Sequence, residues 1–128
     1  MARIILAEDD EVSAYLARAA LEDRGHIVGV LPDGSRVLDV AATKQPDMLI
    51  LDASMPNKSG LEALREVRAS LGWSMPVLML TGRTSRDDEA LAYSAGADDY
   101  LRKPFDPDEL AIRVEALLSQ HALRMRVS

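Results

Sequence analysis

Apolar runs and amphipathic segments alternate from one end of the chain to the other. Ile4-Ile5-Leu6-Ala7, Met48-Leu49-Ile50-Leu51 and Val77-Leu78-Met79-Leu80 are continuous apolar blocks, the pattern of strands covered on both faces of a parallel sheet. The stretches between them carry apolar residues at helical spacing. The pattern predicts strands at 3–7, 27–31, 47–51, 76–80 and 98–101, and helices at 11–24, 34–45, 59–71, 85–95 and 107–121. Such alternation predicts an α/β fold. Its expected form is a five-stranded parallel sheet of order 2-1-3-4-5, doubly wound and flavodoxin-like, with five helices.

Capping chemistry supports these boundaries, because the free amides at a helix start need an acceptor. Ser59-Gly60-Leu61-Glu62 has capping-box spacing, and Asp106 precedes Pro107 and two first-turn acids. Gly25 and Gly96 stand where the first and fourth helices should stop. Leu16, Ala17, Ala20 and Leu21 form the expected core stripe of the first helix, and Leu110, Val114, Leu117 and Leu118 that of the last. Trp73, in the connection Gly72-Trp73-Ser74-Met75-Pro76, is expected to be a partly packed loop aromatic.

Composition narrows the picture in three ways. With 128 residues, the chain has the size of one domain, taken as 1–128 with a core at about 3–121 and a short tail. Cysteine is absent, which removes disulfides and thiolate metal sites. The net charge of −6 opposes sequence-independent attraction to nucleic acid, despite Arg124 and Arg126 in the tail. No apolar stretch approaches the ~20 residues that span a bilayer, and Met1-Ala2-Arg3 opens no signal-peptide pattern. A cytoplasmic protein without membrane contact is expected.

The chemistry lies where the apolar runs end. Glu8-Asp9-Asp10, Asp52, Thr81-Gly82 and Lys103-Pro104 follow the first, third, fourth and fifth runs. In the expected order the ligand crevice opens at the carboxyl ends of strands one and three, which brings Asp9, Asp10 and Asp52 together. Strands are about 4.8 Å apart, so these carboxylates must either share a proton or hold a hard cation. Oxygen-only donors suit Mg²⁺, which keeps waters and leaves room for phosphate oxygens. Thr81 and the long Lys103 side chain can then surround a phosphoryl group on Asp52, which becomes nucleophile and acceptor. Singly, each element has a plainer use: an acid pair after a strand also serves as a helix N-cap, and Thr81-Gly82 also makes a turn.

In type, order and approximate spacing, Asp9-Asp10, Asp52-Ala53-Ser54-Met55-Pro56-Asn57-Lys58-Ser59-Gly60, Thr81-Gly82, Gly96-Ala97-Asp98-Asp99-Tyr100 and Lys103-Pro104-Phe105 resemble the receiver domain of bacterial two-component response regulators. The resemblance covers residues 3 to 121. It implies that a phosphohistidine of a sensor histidine kinase or phosphotransfer protein donates its phosphoryl group to Asp52. The receiver is then no turnover enzyme but supplies much of the transfer and hydrolysis chemistry itself. The resemblance further implies Mg²⁺ (or Mn²⁺) held directly by Asp10 and Asp52, by Asp9 partly through water, and by the Ser54 backbone carbonyl. Lys103, before a cis Pro104, pairs with the phosphoryl group; Thr81 and Tyr100 form the switch.

The output face implied is the fourth helix, fifth strand and fifth helix, closest to the winged-helix transcriptional subclass. There Asp99 and Arg113 match one cross-subunit ion pair and Glu109 the acidic half of another, whose basic partner is replaced by Glu89. A monomer or weak homodimer favoured by phosphorylation is expected. No effector follows within the 128 residues, so the receiver either stands alone and acts on a protein target or belongs to a longer regulator with its own effector. Other classes fit less well. Phosphohydrolases with an Asp-x-Asp nucleophile would need an acid where Ser54 stands, and a mononucleotide binder would need a glycine- or hydroxyl-rich first loop. A receiver that switches without phosphate usually lacks one of the site residues. Ser54 and Arg83 flank the site and are candidates for tuning hydrolysis.

Overall fold

The computed structural model describes residues 1–82 and 86–127; Arg83 and the expected start of the fourth helix at 85 lie outside them. The elements are β1 (Arg3–Ala7), α1 (Glu11–Asp23), β2 (Ile27–Leu31), α2 (Val37–Lys44), β3 (Met48–Asp52), α3 (Gly60–Leu71), β4 (Val77–Thr81), α4 (Arg86–Ala95), β5 (Asp99–Arg102) and α5 (Pro107–Val127). The strands form one parallel sheet of order β2-β1-β3-β4-β5, as the alternation predicts. β3, β4 and β5 each end one residue later than expected, so Asp52 and Thr81 are the last residues of their strands.

Every residue of β3 and β4 is buried, and strand alternation sends successive side chains to opposite layers. Ile4, Leu6, Met48, Ile50, Leu78, Leu80 and Leu101 join Ala17 and Leu21 of α1 and Leu110 and Val114 of α5. Leu49, Leu51, Val77, Met79 and Tyr100 join Val37, Ala63, Leu64, Val67 and Ala92 on the α2, α3 and α4 side. Three departures concern the helices. Leu16 is 41% exposed, and α1 packs instead through Ala14, Ala17 and Leu21, because the small alanines let the helix lie close to the sheet. α2 starts at Val37 rather than 34, since Asp33 and Gly34 bond to Asn57 and Lys58 of a neighbouring loop and Ser35 bonds back to Asp33. α5 runs past 121 to Val127 through the helix-favouring Ala122-Leu123-Arg124-Met125-Arg126.

Two local features hold the frame. Gly60 opens α3 so close to β3 that a Cβ there would lie 2.0 Å from the Asp52 carbonyl oxygen; only glycine lets the helix start against the strand end. The Ser59–Glu62 capping box forms as expected, with both bonds at 3.2 Å. Arg68 is buried and ties three segments together, donating to Gly96 O (3.1 and 2.8 Å), Met75 O (2.6 Å) and Asp98 Oδ2 (3.1 Å). Its guanidinium also lies 5.6 Å from the ring centroid of Trp73, which is itself 62% exposed. Arg68→Ala strands these acceptors, and urea titration should show a loss of about 3 kcal/mol; a loss below about 1 kcal/mol contradicts this role for the network.

Candidate functional site

The polar side chains meet through register and alternation. The β1–β2 ladder runs one residue past β1, with Glu8 N donating to Leu31 O at 2.9 Å, and Ala7 pairs with Leu51. Glu8 therefore stands level with Asp52. Ile4, Leu6 and Glu8 share one parity, as do Met48, Ile50 and Asp52, and Leu101 and Lys103, so all three polar groups emerge on the α1/α5 side. Lys103 Nζ pairs with Glu8 Oε1 and lies 3.3 Å from Asp52 Oδ2. The backbone fixes this corner: Ala53 N donates to Leu80 O at 2.7 Å and Lys103 N to Thr81 O at 2.7 Å. The Lys103–Pro104 peptide is cis.

Among the described residues, Glu8, Asp9 and Asp52 each bring a carboxylate oxygen within 4.8 Å of the others. Glu8 and Asp52 are buried, and Asp9 is exposed. Asp10, expected beside Asp9 as a direct ligand, is not in this group. Its carboxylate caps α1, accepting from Ser13 N at 3.1 Å and from Ser13 Oγ at 2.6 Å. Those bonds, the hydroxyl's first, hold Asp10 below the usual carboxylate range. Its own amide donates to Glu8 Oε2 at 3.2 Å. The structure thus groups the carboxylates of Glu8 and Asp9 with Asp52, while Asp10 serves as the N-cap of α1. Strand parity was an available signal for Glu8 alone, two residues on from Leu6; Asp9 and Asp10 follow the strand end at Ala7, where alternation no longer sets side-chain direction.

Asp52 is the most perturbed group at this edge, its pKa pushed up to about 7 from 3.8. Burial is the main cause, followed by the hydrogen bond and negative charge of Glu8, with Lys103 pulling the other way. For Lys103, burial favours the neutral amine, but Glu8 and Asp52 outweigh it and leave the ammonium above its ordinary value. Because the folded-state value of Asp52 is raised, its contribution to stability is complete below pH ~4 and is lost as pH rises through about 7. Without divalent cations, unfolding free energy should therefore decline between pH 4 and 7 relative to Asp52→Asn, with a slope of up to about 1.4 kcal/mol per pH unit. Urea titrations in chelator test this; parallel profiles for the two proteins would refute it.

Thr81 has the opposite parity and faces the α3/α4 side, 1% exposed at the end of β4. Tyr100 is also buried there, its ring centroid 6.4 Å from that of Tyr93. Both residues line one cleft of about 260 Å³, together with Met55, Leu61, Leu91 and Ala92. A hydroxyl at the carboxyl edge of the sheet and an aromatic ring on the next strand therefore share a single space.

Residues 4–115 match the family described as the response regulator receiver domain. The chain belongs to that family. Response regulator MprA of Mycobacterium avium (strain 104) is 42% identical over 116 residues, 91% of this chain and 50% of MprA. The receiver spans about half the length of the curated relatives it matches. Among solved structures, a Francisella response regulator receiver domain superposes with a TM-score of 0.86 at 30% identity, covering 94% of this chain and 98% of that one. The BeF3-activated N-terminal receiver domain of Klebsiella pneumoniae RstA gives 0.83 at 33% identity, covering 91% and 97%.

Receiver domains bind Mg²⁺ at an acidic pocket, and the donor set of this receiver fits such an ion. The three carboxylates offer only oxygens, and one ammonium, Lys103, does not neutralise them. On the expected output face, Arg113 pairs within the chain, with Asp99 at 3.0 and 3.2 Å and with Glu109 at 3.1 Å. Glu89 of α4 lies 3.5 Å from Arg102 of β5. The acid that stands where a base was expected therefore has a local counter-charge. No helix among the described residues is long and apolar enough to cross a membrane.

Proposed function

We propose that Asp52 is the phosphoacceptor of this receiver and that the phosphoryl group comes from a phosphohistidine of a sensor kinase or phosphotransfer protein. The carrying observation is the placement of a buried carboxylate 3.3 Å from the Lys103 ammonium and among the carboxylates of Glu8 and Asp9. An Asp52 oxygen attacks phosphorus, the P–N bond to the donor imidazole breaks, and the imidazole leaves as the neutral base after taking up a proton. Lys103 stays on the phosphoryl side and balances charge on its oxygens. Glu8, Asp9 and Asp52, with the Ser54 carbonyl, would hold Mg²⁺ or Mn²⁺. When bound, the cation neutralises carboxylate and phosphoryl oxygens as they approach.

Thr81 and Tyr100 read the result, because a group on Asp52 draws the Thr81 hydroxyl and opens their shared cleft to the ring. The surface of α4, β5 and α5 then changes for a downstream partner, an effector in the same polypeptide, or a weak homodimer. Val12, Tyr15 and Leu16 stand exposed on the first turns of α1, bordering the same edge, and offer the donor protein an apolar contact. The module acts in the cytoplasm as one receiver unit, and a longer regulator carrying it is the second reading, supported by relatives twice its length. Incubation with Mg²⁺ and a small acyl phosphate should add one phosphoryl group by mass spectrometry, and chelator should prevent it. An unmodified protein under both conditions would overturn the proposal.

A further inference from the structure

The turn that follows Asp52 is clasped from outside. Residues 53–59 belong to no helix or strand, so the position of the Ser54 backbone depends on what holds the turn. One anchor lies in the β2–α2 loop. Asp33 Oδ2 accepts from Asn57 Nδ2 at 2.7 Å, while its Oδ1 accepts from Ser35 N at 2.7 Å and Ser35 Oγ at 2.6 Å. Beside it, Gly34 N donates to Lys58 O at 3.0 Å, an approach so close that a Cβ on Gly34 would lie 2.5 Å from that oxygen. The second anchor is α3, where Glu66 accepts two bonds from Lys58 Nζ at 2.8 and 2.7 Å. Asn57 itself sits at φ 66°, in the left-handed region. The hydrogen bonds from Ser35 and then Asn57 keep Asp33 below the ordinary carboxylate range, so the acceptor is charged at neutral pH and its bonds are charge-assisted.

We propose that Asp33 and Asn57 are positioning residues of the phosphoacceptor site, their side-chain bond holding the 54–58 turn in the place from which the Ser54 carbonyl would join Glu8, Asp9 and Asp52 around a cation. The Ser54 amide of that turn lies 3.4 Å from Asp52 Oδ1. The inference rests on the cation-dependent reading of that site. Neither residue touches the reacting atoms; they act as outer partners act on metal ligands, where losing one costs about tenfold or more in affinity. The sequence offers this pair no motif, because the two residues are far apart in the chain and each alone is an ordinary turn residue.

Mg²⁺ titration by calorimetry at neutral pH tests the pair, using the whole chain. Asp33→Ala and Asn57→Gly should each weaken binding about tenfold, and the double variant should be no weaker than either single one. Asn57→Gly is the decisive variant, since glycine keeps the left-handed turn without strain and changes no charge. A loss shared by both variants therefore comes from the missing bond, not from turn strain or from removing an anion. Thermal melts run alongside. Wild-type affinity in Asn57→Gly or in Asp33→Ala overturns the inference, even if the melting temperature falls, because a structural role alone lowers stability and leaves the folded protein's affinity unchanged. Additive losses in the double variant also overturn it. If the parent protein binds no Mg²⁺, the reading of the site fails and takes this inference with it, so the two failures are told apart by the parent titration.

Discussion

Asp52→Asn should accept no phosphoryl group from an acyl phosphate under conditions that saturate the parent, a loss of at least about a thousandfold in rate. The amide is nearly isosteric but is a poor nucleophile, and in this pocket it also removes the group that the surroundings perturb most. Phosphate-affinity electrophoresis and intact mass would read the result. The same variant should fold at least as well as the parent near pH 7 without cations, because it deletes a buried carboxylate facing Glu8. Phosphorylation at another acid in Asp52→Asn, at a rate matching the parent, would dismiss Asp52 as the acceptor. Glu8 and Asp9 are the nearest alternatives by geometry.

The second large effect separates Asp10 from its neighbours Glu8 and Asp9. Glu8→Gln and Asp9→Asn should each weaken Mg²⁺ binding by about tenfold or more, whereas Asp10→Ala should bind within about twofold of the parent. Glu8 and Asp9 share the acidic group with Asp52, while Asp10 is engaged with Ser13 at the start of α1. Losing the cap should instead lower thermal stability. Calorimetry and melting curves on the three variants give opposite patterns for the two roles. Strong loss of Mg²⁺ affinity in Asp10→Ala, with normal affinity in Glu8→Gln, would restore the Asp9-Asp10 pair expected from the sequence. Glu8→Gln also weakens a partner of Lys103, so its rate of phosphoryl uptake should fall further than its Mg²⁺ occupancy alone explains.

The sequence by itself determined the element order, the parallel sheet and its strand order, and the edge at which Asp52, Thr81 and Lys103 gather. The elements follow from short-range physics, since apolar blocks of four or five residues between turn residues suit buried strands and longer amphipathic stretches suit helices. The commonest order for five such strands opens one crevice at its winding reversal. Lys103 was legible because a lysine stem spans the distance to Asp52, which the 3.3 Å approach bears out. Strand parity points to Glu8, but tertiary structure alone decided that Asp9 rather than Asp10 joins it beside Asp52. The pleat and the extra β1–β2 bond at Glu8 select side-chain direction, and a shift of one residue turns a carboxylate from the site to a helix cap. It also decided that Leu16 faces outward, since helix depth on the sheet depends on Ala14 and Ala17 as contacts, not on hydropathy. Arg68 on Gly96 and Asp98, and Asp33 on Asn57, join residues far apart in the chain. Hydrogen bonds of that kind depend on where folded loops come to rest, and no local periodicity encodes them.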